Sequence, residues 1–164
     1  MRKLVALALA VLALALVTTP VYAQVNNASI TATATVQAPI NVTAVSNLDF
    51  LAVFPGVAKT VLPTDATAGR WDVLGAFNAP VSLNFTLPTS LASGANLMPI
   101  GTWSGNHNTT ATPAGTSFTP SGTPTAATLS ATGNLFVYIG ATVTPLANQA
   151  AGVYTAAVTL TVLY

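Results

Sequence analysis

Residues 153–164 read VYTAAVTLTVLY. Tyr154, Ala156, Val158, Leu160, Val162 and Tyr164 fall on one phase of a period-two pattern, while Thr155, Thr159 and Thr161 share the other. That alternation predicts a strand with one buried face. At ~3.3 Å per residue it spans roughly 40 Å, long for a strand. An uncharged strand of this kind needs a neighbour on each edge or recruits one, so it is expected near the centre of a sheet or at an edge on which association depends.

The same pattern recurs near the other end. From Ala28 to Ala44 one phase carries Ala28, Ile30, Ala32, Ala34, Val36, Ala38, Ile40, Val42 and Ala44, and the other is Ser, Thr, Gln, Pro and Asn. Pro39 lies on the polar phase and cannot donate to a ladder, which predicts an edge strand or a break at that point. Two roles fit this segment: an intramolecular first strand, or a detachable donor covering residues 24–36.

Between these ends the chain reads as short strands set off by Pro and Gly. Val57–Leu62 is one. Arg70–Phe77 places Trp71, Val73 and Phe77 on one face, and Val81, Leu83, Phe85 and Leu87 alternate with polar residues. Leu97–Trp103, interrupted by Pro99 and Gly101, reads as a weaker strand at an edge. Ser104–Ala127 loses periodicity and reads as a long Gly/Thr/Pro-rich loop, with Phe118 its only large apolar residue. Leu135, Val137, Ile139, Ala141 and Val143 line one face of a further strand while Phe136 and Tyr138 face the other way, which predicts a central position. About eight strands without a helical period predict an all-β, antiparallel two-sheet Ig-like sandwich, with a closed barrel as the rival.

The first 23 residues stand apart. Arg2 and Lys3 precede an apolar run from Leu4 to Val17, and Val21-Tyr22-Ala23 offers small residues at the positions that matter for cleavage. This is the pattern of a secretory signal peptide, and a run of about 14 residues is short for a bilayer span. Residues 24–164 are expected to form a single domain. Its charges are Asp49, Lys59, Asp65, Arg70 and Asp72, a balance that gives no footprint for nucleic acid or an anionic membrane surface. So little like-charge repulsion is permissive for self-association. The absence of Cys removes thiol catalysis and thiolate metal sites.

Three patches taken together look familiar: Leu48-Asp49-Phe50 with Pro55-Gly56, the run from Gly133 to Thr142, and the run from Ala147 through Tyr154 to Tyr164. They resemble the bacterial secreted domain-of-unknown-function family 4402, and more distantly spore-coat-protein-U-like and fimbrial subunits. Leu51 stands where that family carries Gly. The resemblance implies a fimbrial-subunit-like sandwich, export with the help of a periplasmic chaperone and usher, and no catalytic residues.

Little in the chain can do chemistry. His107 is the only histidine, and the loop reading places it in solvent. A glycosidase needs two carboxylates facing across a sugar, whereas Asp72 beside Arg70 reads as an ion pair. Trp71 lies on the apolar phase and reads as core. Trp103, at the lip of the long loop, and Phe118 within it are the candidate contact residues. Asn148-Gln149 reads as turn chemistry that sets the course of the last strand. No cofactor or metal is expected. The expected function is that of a non-catalytic secreted structural protein, a cell-surface or pilus-like subunit associating with itself or other surface subunits by strand addition. The expected location is periplasmic in transit and then extracellular or on the cell surface. The alternatives are a secreted adhesion or carbohydrate-binding module that uses Trp103 and the loop, and a small outer-membrane barrel suggested by the aromatic Tyr164. Stable membrane insertion is not expected.

Overall fold

The computed structural model describes residues 26–164, so the expected signal peptide lies outside the described residues. The chain divides between Thr35 and Val36. Residues 36–164 form one compact unit, and residues 26–35 lie in no helix or strand.

The compact unit is an antiparallel two-sheet sandwich of ten strands, more than the eight expected from the sequence. In chain order they are β1 (Asn41–Ser46), β2 (Lys59–Val61), β3 (Gly69–Leu74), β4 (Pro80–Thr86), β5 (Ser90–Ser93), β6 (Asn96–Asn108), β7 (Thr116–Phe118), β8 (Thr125–Thr128), β9 (Asn134–Val143) and β10 (Thr159–Leu163). The larger sheet runs β1-β3-β9-β6-β5, with β2 continuing along β9 where β3 stops and β7 pairing with β6. The smaller sheet is β10-β4-β8.

The strands with the cleanest alternation of large apolar residues form the packed faces. Val81, Leu83 and Phe85 of β4 point at Leu135, Val137 and Ile139 of β9, all buried in one cluster with Val73, Leu129, Leu160 and Val162. A second cluster, Phe50, Val61, Ala68, Met98, Ile100, Ala141 and Val143, lies under the other half of the larger sheet. The central position expected for β9 is realised, with β3 and β2 on one edge and β6 on the other.

Four expectations are corrected. Leu97–Trp103 is not an edge strand: it opens β6, 13 residues long and flanked by β9 on one side and by β5 and β7 on the other. Pro99 and Gly101 are accommodated because a bulge follows, where Thr102 takes φ +48° and the register against β9 shifts between Gly101 and Ser104. Ser104–Ala127 is not one long loop, since it contains the second half of β6, β7 and most of β8. These pieces are held by backbone pairing and leave a polar outer face, so they carry no apolar period.

The third correction concerns 153–164, where the continuous strand is only Thr159–Leu163. Thr155 makes an isolated bridge to Ala92, and β10 pairs with β4 alone, so of the two expected positions it takes the edge. Finally, the alternation from Ala28 to Ala44 becomes a strand only from Asn41.

Candidate functional site

The expected contact residues are packed side chains. The Phe118 ring stacks on Phe85 with centroids 5.6 Å apart and lies directly over Gly105, where a Cβ would meet the ring at 2.5 Å. Trp103 sits in the β6 bulge and packs, half-buried, against both core clusters. The bulge re-aims this indole into the gap between the clusters, a common use of an extra residue in one strand. Trp71 packs on the main core with its ring 6.2 Å from Phe85, edge to face.

His107 is not in a solvent loop. It lies within β6, half-buried, with its ring 5.8 Å from Phe118, and burial pushes the imidazole below its ordinary value. Arg70 Nε donates to Asp72 Oδ1 at 2.7 Å and Nη2 to Oδ2 at 2.9 Å. The guanidinium also lies 5.2 Å from the Phe136 ring centroid and 5.6 Å from that of Tyr138. The hydrogen bond to Asp72, opposed by partial burial, raises Arg70 above its ordinary value. This arrangement joins the two side chains as a bidentate ion pair on the outer face of the larger sheet, as the sequence suggests. Among the described residues no group of three or more His, Cys, Asp or Glu side chains could hold a metal ion.

What the strand arithmetic leaves open is more informative. Three strands cannot cover the inner face of a seven-stranded sheet. The second core cluster is therefore reached from outside through a cleft of about 610 Å³, whose floor includes Trp71, Met98, Ile100, Ile139 and Val143. One lip is the end of β1 and the segment after it, Ala44 to Val53, and the other is the approach to β10, Gly152 to Val158. The first lip begins in β1, which pairs only with β3, and the second runs into β10, which pairs only with β4, while Thr155 within it is bridged to Ala92. Outside the cleft, Tyr164 ties the end of β10 to the corner after β3 and the run into β1: its hydroxyl accepts the Ala76 N–H at 2.7 Å and donates to Ala38 O.

The lips are held by local chemistry. Gln149 Oε1 accepts the Leu146 N–H, and Gln149 Nε2 donates to Leu97 O and to the Tyr154 hydroxyl, fixing the turn before β10 as its position in the sequence suggests. On the opposite lip Asp49 Oδ1 accepts the Leu51 N–H at 2.7 Å, and Leu51 takes φ +54° with its side chain exposed. A left-handed backbone costs about 1 kcal/mol or more for a residue with a Cβ. Leu51→Gly is expected to raise unfolding stability by up to about 1 kcal/mol, the relief of that strain exceeding glycine's added chain entropy. Chemical denaturation checks this, and a decrease would show that the leucine side chain holds the lip.

The cleft thus has an apolar floor, with Asp49 on one lip its one charged side chain. No signal within any one segment announces it, because it arises from the mismatch between two sheets. No protein-family model matches this chain, and no curated protein or solved structure is detectably similar to it.

Proposed function

We propose that this protein is a non-catalytic structural subunit of a bacterial surface filament or coat, exported through a cleaved signal peptide and assembled by β-strand addition. The observation that carries the reading is the apolar-floored cleft beside β1 and the approach to β10, two strands each paired on one edge only, together with a segment of the same chain that has the matching pattern. Ile30 and Val36 are 96% and 95% exposed, and with Ala32 and Ala34 they form an uncharged apolar stripe at every second residue. A strand entering the slot would donate to and accept from the rims while every second side chain descends to the floor. Burial of that floor supplies the apolar driving force, at roughly 25 cal/mol per Å² removed from water.

An open slot onto the core is also a liability before assembly, since an uncharged edge recruits any available strand. A periplasmic chaperone that occupies the slot, and an usher that exchanges it for a subunit strand, are the partners this chemistry calls for. Carbohydrate stacking on Trp103 and Phe118 has less support, because both rings are committed to packing. Two sheets with free edges likewise do not favour the outer-membrane barrel, which requires closure.

Deletion of residues 26–36 provides the test. The chain beginning at Gln24 is expected to associate as its concentration rises, measured by light scattering after size exclusion. The shortened chain is expected to keep the fold, including β1 to β10, and to remain monomeric. A Gln24–Tyr164 chain that stays a single monodisperse monomer at high concentration would sink the proposal.

A further inference from the structure

Residues 153–158 alternate as a strand would, yet among the described residues their backbone is paired only at Thr155. There the Ala92 N–H donates to Thr155 O at 2.9 Å and the Thr155 N–H donates to Ala92 O at 3.0 Å. Ala92 belongs to β5, whose other edge is taken by β6. Thr155 therefore borders the larger sheet, and four residues later the same chain has entered the smaller sheet as β10. Residues 152–158 are a strap from one sheet to the other, and they form one lip of the cleft.

The strap is lightly held. Thr155, Ala156 and Ala157 are exposed, and Val153 is 82% exposed. Tyr154 is the inward anchor: its ring packs half-buried against the second core cluster, and its hydroxyl accepts from Gln149 Nε2 at 2.7 Å and donates to Ala150 O at 2.8 Å. Val158, packed on the main core, begins the fixed part of the chain. An entering strand can supply each of the contacts that the strap makes with the cleft. Alongside β5 it offers Ala92 the same N–H and C=O that Thr155 offers, and one of its apolar side chains fills the place of the Tyr154 ring. The strap pairs one residue with β5, whereas a continuous strand pairs along the whole edge, so the exchange is downhill.

We propose, on the strand-addition reading above, that residues 152–158 are a removable placeholder, which covers Ala92 and the adjoining floor in the single chain and gives up both when a strand enters the cleft. The placeholder answers the liability of a free edge before assembly. Its few bonds keep the cover reversible, since segments with little pairing open locally at low cost.

The test locks and loosens the strap in the chain of residues 24–164. Ala92 and Thr155 exchange both backbone bonds, a pairing that sets Cα atoms about 5.5 Å apart, within disulfide range. The native chain has no Cys, so Ala92→Cys/Thr155→Cys locks the strap on oxidation and frees it on reduction. Thr155→Pro removes the N–H that bonds Ala92 O and loosens the strap. By sedimentation velocity over a concentration series, wild type and the reduced double variant are expected to associate alike, and the oxidised double variant to remain monomeric. Thr155→Pro is expected to associate with a constant about fivefold higher, the scale of one lost hydrogen bond. In dilute wild type the Ala92 and Thr155 amides are expected to exchange with solvent together, about tenfold or more faster than those of the central strand β9. Circular dichroism melts confirm that each variant remains folded at the assay temperature. An oxidised variant that associates as wild type does, a Thr155→Pro chain that associates no more strongly than wild type, or Ala92 and Thr155 amides as slow as those of β9 would each overturn the placeholder and leave strand addition standing. Wild type that never associates overturns strand addition itself, and the placeholder with it.

Discussion

Phe85→Ala is expected to lower unfolding stability by about 4 kcal/mol, within the range for truncating a buried aromatic. Phe85 is 2% exposed and lies near the end of β4, the middle strand of the smaller sheet. Its ring meets two others, Trp71 of β3 edge to face at 6.2 Å and Phe118 of β7 stacked at 5.6 Å. Both partners come from the larger sheet, so this trio is an aromatic bridge across the sandwich. Truncation forfeits the transfer free energy of the ring, leaves a cavity that two stiff aromatic neighbours cannot collapse into, and removes two aromatic contacts worth about 0.5–1.5 kcal/mol each. For a unit of this size the loss corresponds to a fall in Tm of roughly 10 °C or more. Phe136→Ala serves as the comparison. Phe136 is half-buried on the outer face against Arg70, and its truncation is expected to cost less than half as much. Urea denaturation of both variants checks the ranking, and equal losses would show that the bridge is not what holds the sheets together.

Phe85 belongs to the part of the fold that can be read from the chain. In β4 and β9 large apolar residues alternate with polar ones or lie between turn residues, and local pattern and tertiary burial agree. Trp71 follows the same logic. The pattern fails where strand pairing does not need large side chains. The second half of β6, Ser104 to Asn108, is a strand because β9 and β7 supply backbone partners on its two edges, and nothing in its sequence of small polar residues advertises this. Trp103 could not be placed from the sequence, because its direction depends on a bulge set by register against β9.

Alternation also overstates. Residues 28–40 alternate as regularly as any strand here but lie in none, and residues 153–158 form only the Thr155 bridge before β10 begins. In both stretches the pattern records a capacity for pairing that the single chain does not use; one forms a lip of the slot, and the other is the proposed occupant. Such segments, strand-like in sequence and unpaired in structure, are where association is expected to occur. The slot itself is a property of seven strands facing three, a quantity no single segment encodes.

The junction that keeps the slot's floor in place is Gly140, and Gly140→Ala is expected to cost about 3 kcal/mol, the upper part of the range for overpacking a tight interior. Here β9 changes neighbours: Ile139 pairs with Gly69 of β3, and Ala141 pairs with Val61 of β2. The chain leaving β2 crosses directly over the residue between them. A Cβ on Gly140 would lie 2.1 Å from Val61 O and 2.8 Å from Leu62 C, contacts with backbone that no rotamer change relieves. The least costly response is for β2 to lift away from β9, which withdraws Val61 from the second core cluster beneath the cleft. The variant should therefore lose amide-exchange protection at the β2–β9 pairing while retaining it at β3–β9, with a lower urea midpoint overall. Gly101→Ala is the matched control: it lies in β6 of the same sheet, its added Cβ meets nothing within 4 Å, and its φ is not positive. Near-neutral behaviour at Gly101 alongside a large, β2-localised loss at Gly140 would establish that glycine is required by the crossing chain and not by the sheet. If association falls in the same variant, the floor that β2 holds down is the floor the incoming strand needs.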